Sequence, residues 1–276
     1  MNSRRVAFLP RYTTKCVRRF SADYLDRTRE GLWADRAALA PLRLAERDSV
    51  LDIGCGTGEL ARVCREESAG RVVGTDHDPA LLAHLPAAVD GVRGDAYALP
   101  FPDDSVELVV CQALLVNLPD PERALREFAR VASGAVAAIE PDNAGVTVES
   151  TVDAEARLAG EARTRYIEGV ETDVALGSDL PALFARAGLG DVRTARRDHV
   201  RTLTPPYSER ELEAVGRKAR ATAIGERREE MVGDADALDA LRSAWREMGR
   251  EALAQTRAGE YERRETVPFH VAVADV

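Results

Sequence analysis

The stretch Val50 to Leu60, VLDIGCGTGEL, sets a carboxylate, Asp52, just before three glycines at alternate positions, Gly54, Gly56 and Gly58. A second carboxylate, Glu59, follows them. Glycines at this spacing allow a tight turn and let a ligand approach the backbone, because no Cβ stands in the way. Such turns between a strand and a helix hold nucleotides, and the helix N-terminus behind them favours an anion. Two carboxylates in the same turn oppose a pyrophosphate. A dinucleotide turn also asks for a third glycine where Glu59 stands, and the Gly-Lys-Ser/Thr of a phosphate loop does not follow. The pattern suits a ligand with a cationic amine and a small carboxylate, and without phosphates.

The elements that position this turn are legible around it. From Ser49, SVLDIG reads as a strand and Thr57 to Glu67 as a helix. RVVGTD is a second strand, and Pro79 opens a short helix, a residue suited to a first turn. GVRGDA holds a third strand, VELVVC is a fourth and GAVAAIEP a fifth. The helix DPERALREFARVA lies between the last two, with Asp120 as cap and Pro121 at its first position. Near-continuous apolar strands are those of a parallel sheet covered on both faces. Their alternation with helices predicts a doubly wound α/β fold. Beyond Pro141 the sequence predicts a helix from Thr151 to Gly169 and another capped by Ser178 and ended by Gly188. Two strands follow, DVRTARRDHVRTL and ETVPFHVAVADV, making seven in all. Between those two, Ser208 to Gly259 is a charged helical stretch too long for a turn. Upstream, Leu25, Thr28, Leu32, Trp33, Ala37 and Leu39 form an approximate helical stripe within Phe20 to Leu44.

Composition narrows the classes. The chain has 276 residues, 45% hydrophobic and 31% charged, with net charge −9. That is enough for one large α/β domain, and the acidic balance argues against a non-specific nucleic-acid binder. No apolar run reaches the ~20 residues of a membrane span. The first residues, MNSRRVAFLPRYTTKCVRRF, are basic and lack the apolar core of a secretory signal. They read as an arm, or as a transit-like segment. Cys16, Cys55, Cys64 and Cys111 show no metal-site spacing. They are expected as free thiols in a reducing cytoplasm, with no metal bound.

VLDIGCGTGEL resembles the first motif of class I S-adenosylmethionine-dependent methyltransferases of the small-molecule type. VVGTDHDPALL is similar to their second motif, GDAYALPFPDDSVELVV to the third, and VELVVCQALLVNLPDPERALREFARV to the fourth strand and its helix. The four follow in order over about Ser49 to Asp142. The resemblance implies a Rossmann-like sheet and S-adenosylmethionine as cofactor. The cofactor amine would meet Asp52 through the turn lined by Gly54, Cys55, Gly56 and Gly58. Asp76 would take the ribose hydroxyls with His77 beside it. Asp95 would accept from the adenine amino group, and the Ala96 backbone would meet the ring. The Cys111 backbone and Gln112 would line the methionine end. Each also has a plainer reading: Asp76 as a helix cap, Asp95 as a turn residue, Gln112 as a polar strand end. Relatives often carry a His pair near Val116–Asn117 and an LKPGG turn before the fifth strand. This chain has neither, which removes one acceptor-side base.

The domain organisation that follows is an N-terminal arm and helix at 1–48 and a methyltransferase domain at 49–276, with a helical, lid-like insertion at 208–259. Methyl transfer needs an aligned nucleophile and excluded water. A general base is needed only if the acceptor must lose a proton, so a catalytic side chain is not obligatory. Candidates by type are His199 in the polar strand and Asp142 and Asn143, with Glu140, after the fifth strand. Tyr12, Tyr24, Tyr166 and Tyr207 could line a pocket. No Asn/Asp-Pro-Pro-aromatic motif follows the fourth strand, and a capped cleft suits a small acceptor. The expected function is methyl transfer to an O, N or C centre of a small molecule. An RNA or protein methyltransferase and a non-catalytic cofactor-binding scaffold subunit are the alternatives. A nicotinamide dehydrogenase is disfavoured by Asp52 and Glu59. The expected partner is a small acceptor, not a membrane or nucleic acid, and a homodimer is admitted.

Overall fold

The apolar runs become one mixed sheet in the computed structural model, which describes residues 20–276. The basic arm, with Tyr12 and Cys16, lies outside the described residues. The strands are β1 (Ser49–Ile53), β2 (Arg71–Asp76), β3 (Asp90–Arg93), β4 (Val106–Gln112), β5 (Ala132–Pro141), β6 (Thr147–Ser150), β7 (Arg193–Leu203) and β8 (Arg263–Asp275). The order is β3-β2-β1-β4-β5-β8-β6, with β7 also paired to β8. The first five strands run parallel. β8 runs antiparallel to β5, β6 and β7. Eight strands stand where seven were expected because the line of β5 breaks after Pro141 and resumes as β6 against the start of β8.

Helices α1 (Ala22–Arg29), α2 (Glu59–Glu67), α3 (Pro79–Leu82), α4 (Pro121–Val131), α5 (Asp153–Gly169), α6 (Leu180–Arg186), α7 (Glu209–Ala219), α8 (Thr222–Glu226) and α9 (Ala235–Ala258) join them. Their ends follow local chemistry. Asp120 accepts from the Arg123 amide at 3.0 Å and Pro121 opens α4. Ser208 and Glu211 form a reciprocal capping box on α7. Gly259, with φ at 73°, closes α9 in the left-handed region.

Two helix expectations are corrected. The helix expected from Phe20 to Leu44 stops at Arg29, because Gly31 turns the chain at φ 73°. A 3-10 segment containing Pro41 replaces its second half. Ser178 does not cap α6; it sits inside a 3-10 turn, and α6 begins at Leu180 without a side-chain cap.

Both faces of the sheet are packed. Leu51, Ile53, Val109, Phe128 and Phe184 share one core. Val50, Leu108, Val72, Leu60, Trp33 and Leu39 share the other. Adjacent residues of β1 thus serve opposite faces, as the pleat requires. A third core lies among the later helices, with Leu158 on α5, Val215 on α7, Ile224 on α8, Met248 on α9, and Tyr261. This third core is pinned to the sheet by one buried carboxylate. Glu155 on α5 accepts from Ser150 Oγ at 2.7 Å, Tyr261 Oη at 2.7 Å, Arg263 Nε at 2.9 Å and Lys218 Nζ.

Candidate functional site

The strand order reverses between β1 and β4, and in open α/β sheets ligands bind at the carboxyl ends beside such a reversal. The turn after β1 lies on one side of this point and Gln112, the last residue of β4, on the other. The turn is built as the glycine spacing required. Gly54, Gly56 and Gly58 have φ of 65°, 57° and 85°. A Cβ on Gly54 would come within 2.8 Å of the Leu114 side chain.

Asp52 is 1% exposed, and neither carboxylate oxygen has a hydrogen-bond partner among the described residues. Burial, with the Asp76 carboxylate adding to it, pushes its carboxyl up to about 7, while the Arg29 guanidinium and, less, the Ala61 amide, outside hydrogen-bond geometry, pull the other way. Arg29, at the end of α1, is itself buried and makes no ion pair or side-chain hydrogen bond among the described residues. A Cβ on Gly56 would stand 3.3 Å from an Arg29 terminal nitrogen. Unpaired charges of both signs therefore meet at the mouth of the turn. Glu59 opens α2, and burial raises its carboxyl to about 6, again opposed by Arg29.

Asp76 ends β2 and is buried. Its carboxylate accepts from the Gly56 amide at 3.0 Å and the Asp78 amide at 2.9 Å, and so ties the turn to the next loop. His77 is exposed, its Nδ1 3.2 Å from Asp76 Oδ1. Asp95 is exposed and accepts from the Tyr97 amide at 2.9 Å; Ala96 lies between them, half-buried. The helix cap before Pro79 is Asp78, not Asp76. Cys55 and Cys111 are buried free thiols, as is Cys64.

Gln112 is 2% exposed. Its Oε1 accepts from Trp33 Nε1 at 3.0 Å, while its Nε2 has no partner among the described residues. The next residue, Ala113, is held at φ 49°, a costly conformation for a residue with a Cβ. Glu140 explains how it persists. It is fully buried and accepts from the amides of Leu114, Leu115 and Val116 at 3.0, 2.8 and 3.4 Å. Burial pushes its carboxyl up to about 7, and the three amides pull it down. Glu140 is thus the brace beneath the turn that presents Gln112, not an acceptor-side group.

A cavity of about 460 Å³ extends from Arg29, Gln112 and Ala113 to the later helices. That volume suits a small ligand. His199 and Asn143 line it; Asp142 does not. Asp142 accepts from the Ala144 and Gly145 amides at 3.0 and 3.1 Å and shapes the bend between β5 and β6. Asn143 Nδ2 donates to the Val174 carbonyl at 2.6 Å. His199 is 4% exposed, and its Nε2 has no partner among the described residues. Burial holds its imidazole below the usual range, with Arg201 and Arg197 adding to the effect. Tyr24 and Tyr166 line the cavity, whereas Tyr207 donates instead to the Tyr261 carbonyl at 2.9 Å. Sequence reasoning missed Arg29, Trp33, Arg163 and Arg227. Each reaches the site across long sequence separations, so no local spacing marks it.

Comparison with known proteins agrees with this geometry. A family model described as a methyltransferase domain matches residues 51–138. The chain is 41% identical over 104 residues to the 2-phytyl-1,4-naphtoquinone methyltransferase of Synechococcus elongatus, covering 33% of this chain and 45% of that protein. It is 36% identical over 107 residues to the demethylmenaquinone methyltransferase of Thermus thermophilus, covering 36% and 48%. A longer match, 28% identical over 201 residues, joins it to methyltransferase GfsG of Streptomyces halstedii, covering 61% and 67%. The chain thus spans about half the length of the first two relatives. Among the described residues, no helix is long and apolar enough to cross a membrane.

Proposed function

We propose that this chain, whose residues 51–138 match a methyltransferase-domain family model, is a class I S-adenosylmethionine-dependent methyltransferase that transfers a methyl group to a small molecule in the adjoining cavity. One observation carries the reading. A buried carboxylate, Asp52, and a buried guanidinium, Arg29, neither with an ion-pair or hydrogen-bond partner among the described residues, face the same glycine turn. They match the ammonium and carboxylate of an amino-acid end, and an unpaired buried charge is costly until such a group arrives. When bound, S-adenosylmethionine supplies a methyl group on an already electrophilic sulfonium.

The residues of this chain do the rest. Asp52 and Arg29 hold the two charged groups. Asp76 has lone pairs left for ribose hydroxyls after binding two amides, and His77 stands at its rim. Asp95 and Ala96 border the adenine position. Gln112, fixed by Trp33, orients the methionine end with its free Nε2. His199 is the group suited to accept a proton from the acceptor, being neutral, buried and unpartnered on Nε2. Asn143 stands beside the same space as a positioning group. The segment 208–259, together with α5, is read as the cover that excludes water. A nucleic-acid substrate calls for a basic open groove, and nothing in this walled cavity favours one. A cytoplasmic setting and a homodimer belong to the same reading.

Calorimetric titration with S-adenosylmethionine and S-adenosylhomocysteine, with NAD as control, tests the proposal. Binding of the first two and not of NAD is expected. A folded protein that binds neither sinks the reading and promotes a non-catalytic scaffold.

A further inference from the structure

The cavity carries a charge opposite to that of the molecule. The chain has net charge −9, yet the lining holds five arginines against one glutamate, Glu265. That glutamate is committed: it takes Arg263 at 3.1 Å and Arg201 at 3.5 Å. Arg263 is held by Glu155 as well. Arg29 answers the carboxylate of the cofactor in the reading above. Arg163 and Arg227 remain.

Arg163 is half-buried, and its one side-chain hydrogen bond among the described residues goes to the Val146 carbonyl at 2.6 Å. Burial holds its guanidinium below the usual range, with Glu265 pulling it up and Arg263 pushing it down. The Arg227 guanidinium lies 4.8 Å above the Tyr166 ring. Arg163 and Tyr166 are three residues apart on α5, hence on one face. Arg227, leaning on Tyr166, and Arg163 therefore border the cavity on the same side, that of α5. Among the described residues neither arginine has a carboxylate within ion-pair distance. Guanidiniums are suited to an oxyanion because each presents paired N–H donors. Apolar side chains of Ile224, Met231 and Trp245 line the same space.

A second observation points to a ligand independently. His199, more than nine-tenths buried, lines the cavity and leaves its Nε2 without a partner among the described residues. Buried polar atoms in native structures are ordinarily paired. His199 sits on the sheet side, on β7, while Arg163 and Arg227 come from the helical side.

We propose that the cavity takes a small amphipathic acid, with Arg163 and Arg227 clamping its oxyanion, its apolar body against Ile224, Met231 and Trp245, and a second polar group meeting His199. This rests on the methyl-transfer reading, since it names the class of acceptor. The oxyanion is a carboxylate or a phosphate monoester.

Ligand-observed NMR on the full chain, with and without saturating S-adenosylhomocysteine, tests it. The probes are phenylacetate, indole-3-acetate and phenyl phosphate, each against a neutral counterpart: phenylacetamide, indole-3-acetamide and phenol. At least one anion should bind about tenfold more tightly than its counterpart. Which anion does so separates carboxylate from phosphate. The preference should vanish in the double variant Arg163→Gln, Arg227→Gln. Arg227→Gln alone, at an exposed position, serves if the double variant fails to fold, and it should reduce the preference. Equal binding of anions and neutral probes, binding of none, or a preference that survives the variants overturns the clamp. Titration with S-adenosylhomocysteine is read separately. Cofactor binding without an anion preference overturns this inference alone. An anion preference without cofactor binding overturns the methyl-transfer reading and leaves the clamp standing.

Discussion

The Trp33 indole donates to Gln112 Oε1 at 3.0 Å, across 79 residues of sequence. That bond fixes which end of the Gln112 amide faces the cavity, because the oxygen is taken and the nitrogen is left. Trp33→Phe removes the donor and leaves a buried carbonyl unpaired, at about 1–3 kcal/mol. Melting temperature and affinity for S-adenosylhomocysteine should both fall. Gln112→Ala added to Trp33→Phe should cost much less than the sum of the single changes, since both act on one contact. Full additivity in the calorimetric cycle would separate Gln112 from the cofactor site.

If Asp52 meets the cofactor amine as proposed, cofactor binding depends on pH. Its folded pKa, about 7, is raised above the ordinary carboxylate value. The folded chain therefore binds more protons than the unfolded chain between about pH 4 and 7, and the unliganded protein loses stability as pH rises through that window. A cationic amine needs the ionised form. Affinity for S-adenosylhomocysteine should thus rise with pH up to about 7, with proton release on binding in the acidic range. Asp52→Asn should flatten both profiles; affinity independent of pH in the wild type would remove Asp52 from the ligand.

His199 is set up to act neutral. Its folded pKa is depressed, chiefly by burial. Protonating it costs stability as pH falls through the unfolded value of about 6.5. If it accepts the acceptor's proton, His199→Ala should lower turnover by about 10²–10⁴-fold, with cofactor affinity unchanged. A turnover number within a few-fold of wild type, on an acceptor that must lose a proton, would leave His199 a packing residue beside Phe269.

Glu155 anchors the later helices to β8. Burial alone would push its carboxyl up, but Lys218 and the hydrogen bonds from Lys218, Ser150 and Tyr261 outweigh it and hold it below the usual range. The stability it contributes is present above its unfolded pKa and is lost as pH falls through the folded one. Glu155→Ala strands Lys218 beside Arg263, which keeps Glu265, and should cost about 3–5 kcal/mol. Thermal unfolding reads the loss directly. A drop of only a degree or two would mean that the cover is held by its apolar core instead.

The cofactor half was legible because its signals are local. Glycine spacing, the acid after it, the second acid ending β2 and the apolar runs all lie within short windows, and β1, β2 and β4 form as those windows predict. The acceptor half was not. Glu140 follows an apolar strand and looks like a cleft residue, yet the β5 pleat directs it inward, under the amides of Leu114 to Val116. Arg29 acquires its meaning only when α1 packs over the glycine turn, and Arg227 only when α8 meets α5. The continuous helix expected from Phe20 to Leu44 failed at Gly31, a single residue that the apolar stripe conceals.

The register of β7 and β8 has a consequence for how such a protein can change over generations. Leu203 and Arg263 are direct partners in the ladder. The helices between them leave and rejoin the sheet one strand spacing apart, roughly 5 Å. Closing a loop of different length at that stem costs little, since each doubling adds about 0.6 kcal/mol. A replaced or resized insertion would leave the glycine turn, Asp52 and Asp76 untouched, because all three lie on the far side of β4. On the proposed reading, new acceptor preferences can then be tried at one joint while the half assigned to the methyl donor is inherited intact.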